Sequence, residues 1–241
     1  MDLNEELDLI ASNSLYAAGV NTCSIHYSFE IFSRYIKEGT ILELGPAEGV
    51  MTDLLYKTEN PLTLVEGSSL FCKLLEEKYP DVEVIHSLFE TFSTDKKFQT
   101  IVLGHVLEHV DDPVLILQRI KQFLREDGII LAAVPNANSI HRQAAVLMGL
   151  IPTLKTFSAL DHHHGHKRVY GIDELENDFS FAGLTIKKTG GYWLKPISNA
   201  QIEKDWTPEM ITAFMKLGEK YPEIAGEIYI VAGQEKINTD D

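Results

Sequence analysis

The chain is predicted to fold as a seven-stranded, mostly parallel α/β sheet with helices on both faces, an antiparallel edge strand and a helical lid at its N-terminus. Three observations support this. From residue 39 onward, apolar runs of strand length alternate with amphipathic runs of helix length, the pattern of parallel crossover units. At the first junction, "LELGPAEGVMTDLL" (42 to 55), two glycines four positions apart separate strand from helix. That permissive backbone lets a ligand approach a helix N-terminus. Finally, the last two strand candidates break the alternation, as an antiparallel edge does.

Taken in order, residues 1 to 38 form a helical preface, "NEELDLIASNSLYA" followed by "SFEIFSRYIKEG". The strands are "TILELG" (40 to 45), "LTLVEG" (62 to 67), "VEVIHS" (82 to 87), "TIVLGH" (100 to 105), "GIILAAVP" (128 to 135), "LTIKKTGGY" (184 to 192) and "EIYIVAGQ" (227 to 234). Helices are expected near 49 to 57, 69 to 79, 113 to 125 and 172 to 182, each with leucines or aromatics at three-and-four spacing. An Asp-Pro pair opens the third of these. The division expected is a cap over 1 to 38 and a main domain over 39 to 241. An insertion at about 136 to 170, with a second helix and the run "DHHHGHKR", is placed to cover a site.

Composition narrows the function. The 241 residues are 44% hydrophobic, enough for a sizeable core, and carry 36 carboxylates against 21 Lys plus Arg, a formal charge of −15. Such a balance repels phosphate backbones, so nucleic acid is excluded as a partner and a small molecule favoured. The two cysteines, Cys23 and Cys72, have no metal or disulfide spacing and read as packing residues of a reducing cytoplasm. No membrane span is expected.

The turn Gly45-Pro46-Ala47-Glu48-Gly49 lacks the middle glycine of a dinucleotide fingerprint, which disfavours a nicotinamide-dependent oxidoreductase, and the Gly-Lys-Ser/Thr ending of a P-loop. With Glu43 before it and Glu48 within it, it suits an ammonium or sulfonium rather than a polyphosphate. Glu66 ends the second strand, where a carboxylate accepts both ribose hydroxyls. An adenosine without phosphate follows.

The order "ILELGPAEG", "LTLVEGS", "HSLFETF", "FQTIVLGHVLEHVDDP", "LREDGIILAAVPNANS" and "HKRVYGIDELENDFSFAGL" resembles class I S-adenosylmethionine-dependent methyltransferases, and within them the small-molecule branch that includes the ubiquinone O-methyltransferases. The resemblance spans residues 39 to 190 and implies a Rossmann-like sheet with S-adenosyl-L-methionine as cofactor. It places Glu43, Gly45, Pro46, Ala47 and Gly49 around the methionine portion and Glu66 on the ribose. Gly67, Ser68, Leu88 and Phe89 would flank the adenine, with His105, Val106 and Leu107 as the wall beneath the sulfonium. Many relatives carry an Asp after strand three where this chain has Ser87, Leu88, Phe89 and Glu90, so the partner of the adenine amino group is left open.

For the acceptor, the expected catalytic residues are His109, His166 and His141, imidazoles able to take a hydroxyl proton as the new bond forms. His166, Arg168 and Tyr170 match the His-x-Arg-x-aromatic pattern that the resemblance places before the helix leading to strand six. Tyr16, Arg142, Arg168 and Tyr170 are the expected substrate contacts. Glu108 and His109 also read as capping the next helix, and Asn138 or Ser139 as capping a helix that leaves Arg142 exposed. Tyr16 and Tyr27 read equally as lid or as packing. The histidine run at 161 to 166 is assigned no metal, because consecutive residues of an extended loop point apart and only alternate ones could converge. The expectation is O-methylation of a small anionic or phosphorylated metabolite by a basic mouth of Arg142, Lys167 and Arg168. N- or C-methylation, a non-catalytic scaffold that binds S-adenosylmethionine, and a homodimer remain open.

Overall fold

The structure is a computed structural model that describes residues 3–14 and 17–235, with side chains from residue 7 onward. Seven strands form one sheet: β1 (Ile41–Leu44), β2 (Leu62–Glu66), β3 (Glu83–His86), β4 (Phe98–Gly104), β5 (Leu124–Pro135), β6 (Thr185–Tyr192) and β7 (Glu227–Gly233). Their spatial order is β3-β2-β1-β4-β5-β7-β6. The first five are mutually parallel, and β7 runs antiparallel to both β5 and β6. The antiparallel strand therefore lies one in from the edge, with β6 outside it. Strand order reverses between β1 and β4, which opens a crevice at their carboxyl ends.

Alternation along the strands divides the core. Leu42, Leu44, Ile101, Leu103, Ile130 and Ala132 face one side with α5 (Pro113–Lys121) and α8 (Ile172–Phe181). Ile41, Leu64, Val102, Leu131 and Ala133 face the other side. There they pack with α2 (Gly19–Ser33), α3 (Val50–Tyr56), α4 (Ser69–Lys78), α9 (Asn199–Asp205) and α10 (Pro208–Gly218). Helix α2 is integral to that layer, since Ile31 and Phe32 are fully buried. Tyr27 packs there too, its ring 5.7 Å from that of Tyr192. The hydroxyl of Ser68 and the carboxylate of Asp112 accept backbone N–H bonds at the starts of α4 and α5, and Pro113 fills the first turn of α5.

Two boundaries differ from expectation by four residues. Helix α5 stops at Lys121, and β5 begins at Leu124 rather than residue 128. A register shift opposite Phe98 to Thr100 takes up the extra residues, while buried Phe123 and Leu124 continue the apolar pattern that had read as helix. The insertion holds two helices, α6 (Ile140–Leu147) and the short α7 (Ala159–His163). Its ends are clasped where Ala137 N–H donates to Tyr170 O at 2.6 Å. Ser139 occupies the N-cap position of α6 without a capping hydrogen bond from its side chain.

Candidate active site

A cavity of about 900 Å³ opens at the carboxyl ends of β1, β2 and β4 and extends beneath the insertion. Among the described residues, four non-glycine positions have left-handed φ: Ala47, Glu59, His105 and Trp193. Three of them line this cavity. A left-handed L-residue costs roughly 1–2 kcal/mol, and such strain persists where the surrounding structure over-determines it.

The turn after β1 winds through Gly45 (φ +64°), Ala47 (φ +48°) and Gly49 (φ +81°). It aims Ala47 N–H at Glu66, whose carboxylate accepts from Ala47 at 3.2 Å and from Ser68 N–H at 2.8 Å. Glu66 is buried, and burial raises its carboxyl from the ordinary range. A Cβ on Gly45 would stand 3.1 Å from Val106 Cγ2 and 3.4 Å from the Phe89 ring, so only glycine leaves the floor of the cradle open. Gly49 serves packing instead, its α-carbon backed against Leu75 and Tyr79. Glu43 receives the Thr52 hydroxyl at 2.8 Å, and burial pushes its carboxyl up to about 8. Helix α1 (Leu3–Ser12) closes this end of the cavity. Asp8 accepts from the Ser68 and Ser69 hydroxyls at 2.7 Å each, and a Cβ on Gly67 would meet Leu7 at 2.7 Å.

The other end is built from buried acid and imidazole. His105 Nδ1 lies 3.4 Å from Glu108 Oε1 and 3.9 Å from Glu227 Oε2. Burial opposes the imidazolium, but these carboxylates outweigh it and push His105 up to about 9. Glu108 is 2% exposed; burial opposes its charge too, and the surrounding imidazoles hold it well below the usual range. His109 and His166 meet edge to face at 4.7 Å between ring centroids, and burial takes His109 down to about 4. His166 Nδ1 bonds Asp161 Oδ1 at 2.9 Å. Asp161 is also held by Ser158 N–H at 2.6 Å and lies 3.5 Å from Arg142 Nη1. The histidine run is not extended as expected. Helix α7 turns His162 and His163 outward, and Gly165 at φ +71° brings His166 back beside buried His164.

A methyltransferase-domain family model matches residues 26–189. The chain belongs to that methyltransferase family. It is a methyltransferase dependent on S-adenosylmethionine. The chain is similar to the ubiquinone biosynthesis O-methyltransferase of Actinobacillus pleuropneumoniae serotype 7, at 24% identity over 176 residues, covering 69% of this chain and 72% of that relative. Its Pasteurella multocida counterpart is 24% identical over 190 residues, covering 72% and 77%. Among solved structures, a possible histamine N-methyltransferase from Thermotoga maritima superposes with a TM-score of 0.65 at 13% identity, covering 95% of this chain and 100% of that one. The glycopeptide N-methyltransferase MtfA complexed with S-adenosylmethionine gives 0.59 at 13%, covering 95% and 96%.

The cavity of this methyltransferase suits the cofactor: nine carboxylates line it against three cations, Arg142, Lys167 and Lys195, a balance that favours a sulfonium. Of the residues expected on the cofactor, Glu43, Gly45, Pro46, Ala47, Glu66, Gly67, Ser68, Leu88, Phe89, His105 and Val106 line the cavity. Gly49 and Leu107 do not; Leu107 is fully buried in the core beneath α5. His109, His141, His166 and Arg142 line it as well.

The expected basic mouth is not available, because its cations are committed within the protein. Arg142 binds Leu154 O at 3.0 Å and Thr156 O, and Lys167 binds Asp111 at 2.6 Å. Arg168 binds the carbonyls of Leu107, Val110 and Asp111, which fixes the β4–α5 loop. Tyr170 donates to Asp178 at 2.8 Å and lies off the cavity. Tyr16 is outside the described residues. Sequence reading passed over Asp161 as an orienting group, Glu227, Trp193, Lys195 and Asp8. Only Asp161 carried a signal, as the acid opening the histidine run. No helix among the described residues is long and apolar enough to cross a membrane.

Proposed function

We propose that this methyltransferase transfers the methyl group to a hydroxyl oxygen of a small anionic metabolite. The supporting observation is the Asp161–His166 pair on the cavity wall. Asp161 holds the Nδ1–H, which leaves Nε2 with its lone pair free to act on a hydroxyl proton, and His109 stands against the same ring. The bound cofactor supplies an activated sulfonium methyl, so the protein's work is alignment, exclusion of water and proton handling.

The anionic end falls to Lys195, Trp193 and His141, which line the cavity from the β6–α9 loop and α6. Lys195 Nζ lies 4.7 Å from the Trp193 ring centroid, and Trp193 Nε1 and His141 Nδ1 have no hydrogen-bond partner. Burial, then the charges of Lys195 and Arg142, take His141 down to about 3, so it acts there as a neutral contact. One ammonium beside one indole donor suits a carboxylate better than a doubly charged phosphate. Within residues 1 to 38, α1 acts as the cap on the cofactor while α2 belongs to the core layer, and 136 to 170 act as the insertion that selects the acceptor.

The acid-rich lining supports a second reading, an amine acceptor. Matched hydroxy and amino acceptors, each with and without a carboxylate, decide between them when methyl transfer is followed by mass spectrometry. Transfer to the hydroxy acid is the expected result; transfer only to the amines would replace this reading.

A further inference from the structure

We propose that Glu108, His109 and His166 hold one divalent transition-metal ion of the zinc class at the acceptor end of the cavity, with a coordination position open to the acceptor oxygen. Each residue offers one donor atom, and the three atoms all lie within 4.8 Å of one another. Donors sharing an ion at about 2.1 Å stand at most about 4.2 Å apart, so closure takes a shift of under about 1 Å. Two imidazoles and a carboxylate form a donor set of that class.

A second observation is independent of this convergence. Glu108 is 2% exposed, yet its Oε2 has no hydrogen-bond partner, and its Oε1 has only the long 3.4 Å contact with His105. A buried carboxylate oxygen without a partner is costly unless something cationic completes it. The supporting shell is also present. Asp161 orients His166 through Nδ1, as carboxylates orient metal-bound imidazoles, and His105 orients Glu108. Lys167 N–H donates to Glu108 O at 2.8 Å, which ties the β4–α5 loop to the end of the insertion, so that ligands 57 positions apart share one framework.

This deepens the O-methylation reading and rests on it for its role. On the ion, the acceptor hydroxyl loses its proton to solvent. Its oxygen then forms the bond to the methyl carbon while the carbon–sulfur bond breaks, and both electrons leave on sulfur as S-adenosylhomocysteine. The ion, rather than the His166 imidazole, then acidifies the hydroxyl.

The test is titration of the chelator-treated full chain with Co²⁺, followed by absorption spectroscopy, and then displacement by Zn²⁺. One ion per chain with the visible bands of a low-coordinate site is expected. His109→Ala and Glu108→Gln should weaken it at least about 100-fold, and Asp161→Asn about ten- to a hundredfold. The exposed pair His162→Ala/His163→Ala should leave it unchanged. Unaltered S-adenosylmethionine affinity certifies folding, and if Glu108→Gln fails that criterion, the wild-type spectrum and Asp161→Asn decide. Absent bands, or bands that follow His162 and His163, overturn the site. Full-rate methylation of a hydroxy acceptor by stripped protein overturns its role and leaves O-methylation standing. Bands that follow the cluster, with transfer only to amines, support the site and overturn O-methylation.

Discussion

The two ends of the cavity are built from different materials. At the cofactor end, backbone does most of the work: left-handed turns at Gly45 and Ala47, and amides of Ala47 and Ser68 that grip one carboxylate. At the acceptor end, side chains from the β4–α5 loop, the insertion and the β6–α9 loop meet as buried acid–imidazole contacts and a lysine over an indole. Backbone recognition tolerates substitution everywhere except at the residues that shape the chain, so it leaves short, ordered signatures. A side-chain cluster can be assembled from any segments the fold brings together. The first end can thus serve one cofactor while the second changes acceptor.

If the ends are separable, damage to one should spare the other. The largest effect is expected from Gly45→Val, which adds a side chain 3.1 Å from Val106 and destabilises the φ +64° turn. S-adenosylmethionine affinity by calorimetry should fall by about 100-fold or more, since strain and steric overlap add. Glu66→Ala should cost about 1.5–3 kcal/mol of the same affinity. Unchanged binding in both would break the cofactor assignment.

Next comes the acceptor chemistry. His166→Ala and Asp161→Asn should each lower kcat by about 100-fold with cofactor affinity unchanged, because both remove the oriented imidazole. An equal loss of cofactor binding would show that the two ends are one unit. Lys195→Met should act on the other term, raising the acceptor KM by about tenfold or more with little change in kcat. A fall in kcat alone would move Lys195 to the reacting centre.

The smallest effect concerns the cap. The Ser68 hydroxyl, then that of Ser69, holds the Asp8 carboxyl below its ordinary value. For a depressed acid, the contribution is fully present above the unfolded pKa of about 3.9 and is lost as pH falls through the lower folded value. Docking of α1 should be constant across neutral pH and loosen only below about pH 4. Asp8→Ala should speed cofactor release a few-fold at pH 7, measured by stopped-flow fluorescence. Unaltered release would mean that α1 does not close the adenosine end.

The sequence determined every strand of the sheet, the direction of the last pair and the glycine turn, and it put Glu66 at the end of the second strand. Each is written in contiguous residues, as a period of two, a three-and-four spacing, or a backbone that only glycine allows. It did not determine where the cations go. Arg142 and Arg168 look alike in sequence to free recognition groups, but the fold spends both on backbone carbonyls. Nor could it bring Asp161 to His166 or Glu108 to His109 and His166, because α7 and the left-handed Gly165 set those directions. Glu227 and Trp193 carried no local signal, for they reach the cavity only through the antiparallel insertion of β7 and the turn that ends β6. Short-range sterics and periodicity are properties of a segment. Burial, and with it the charge state of His105, His109 and Glu43, is a property of what packs around the segment, and only the tertiary structure supplies that.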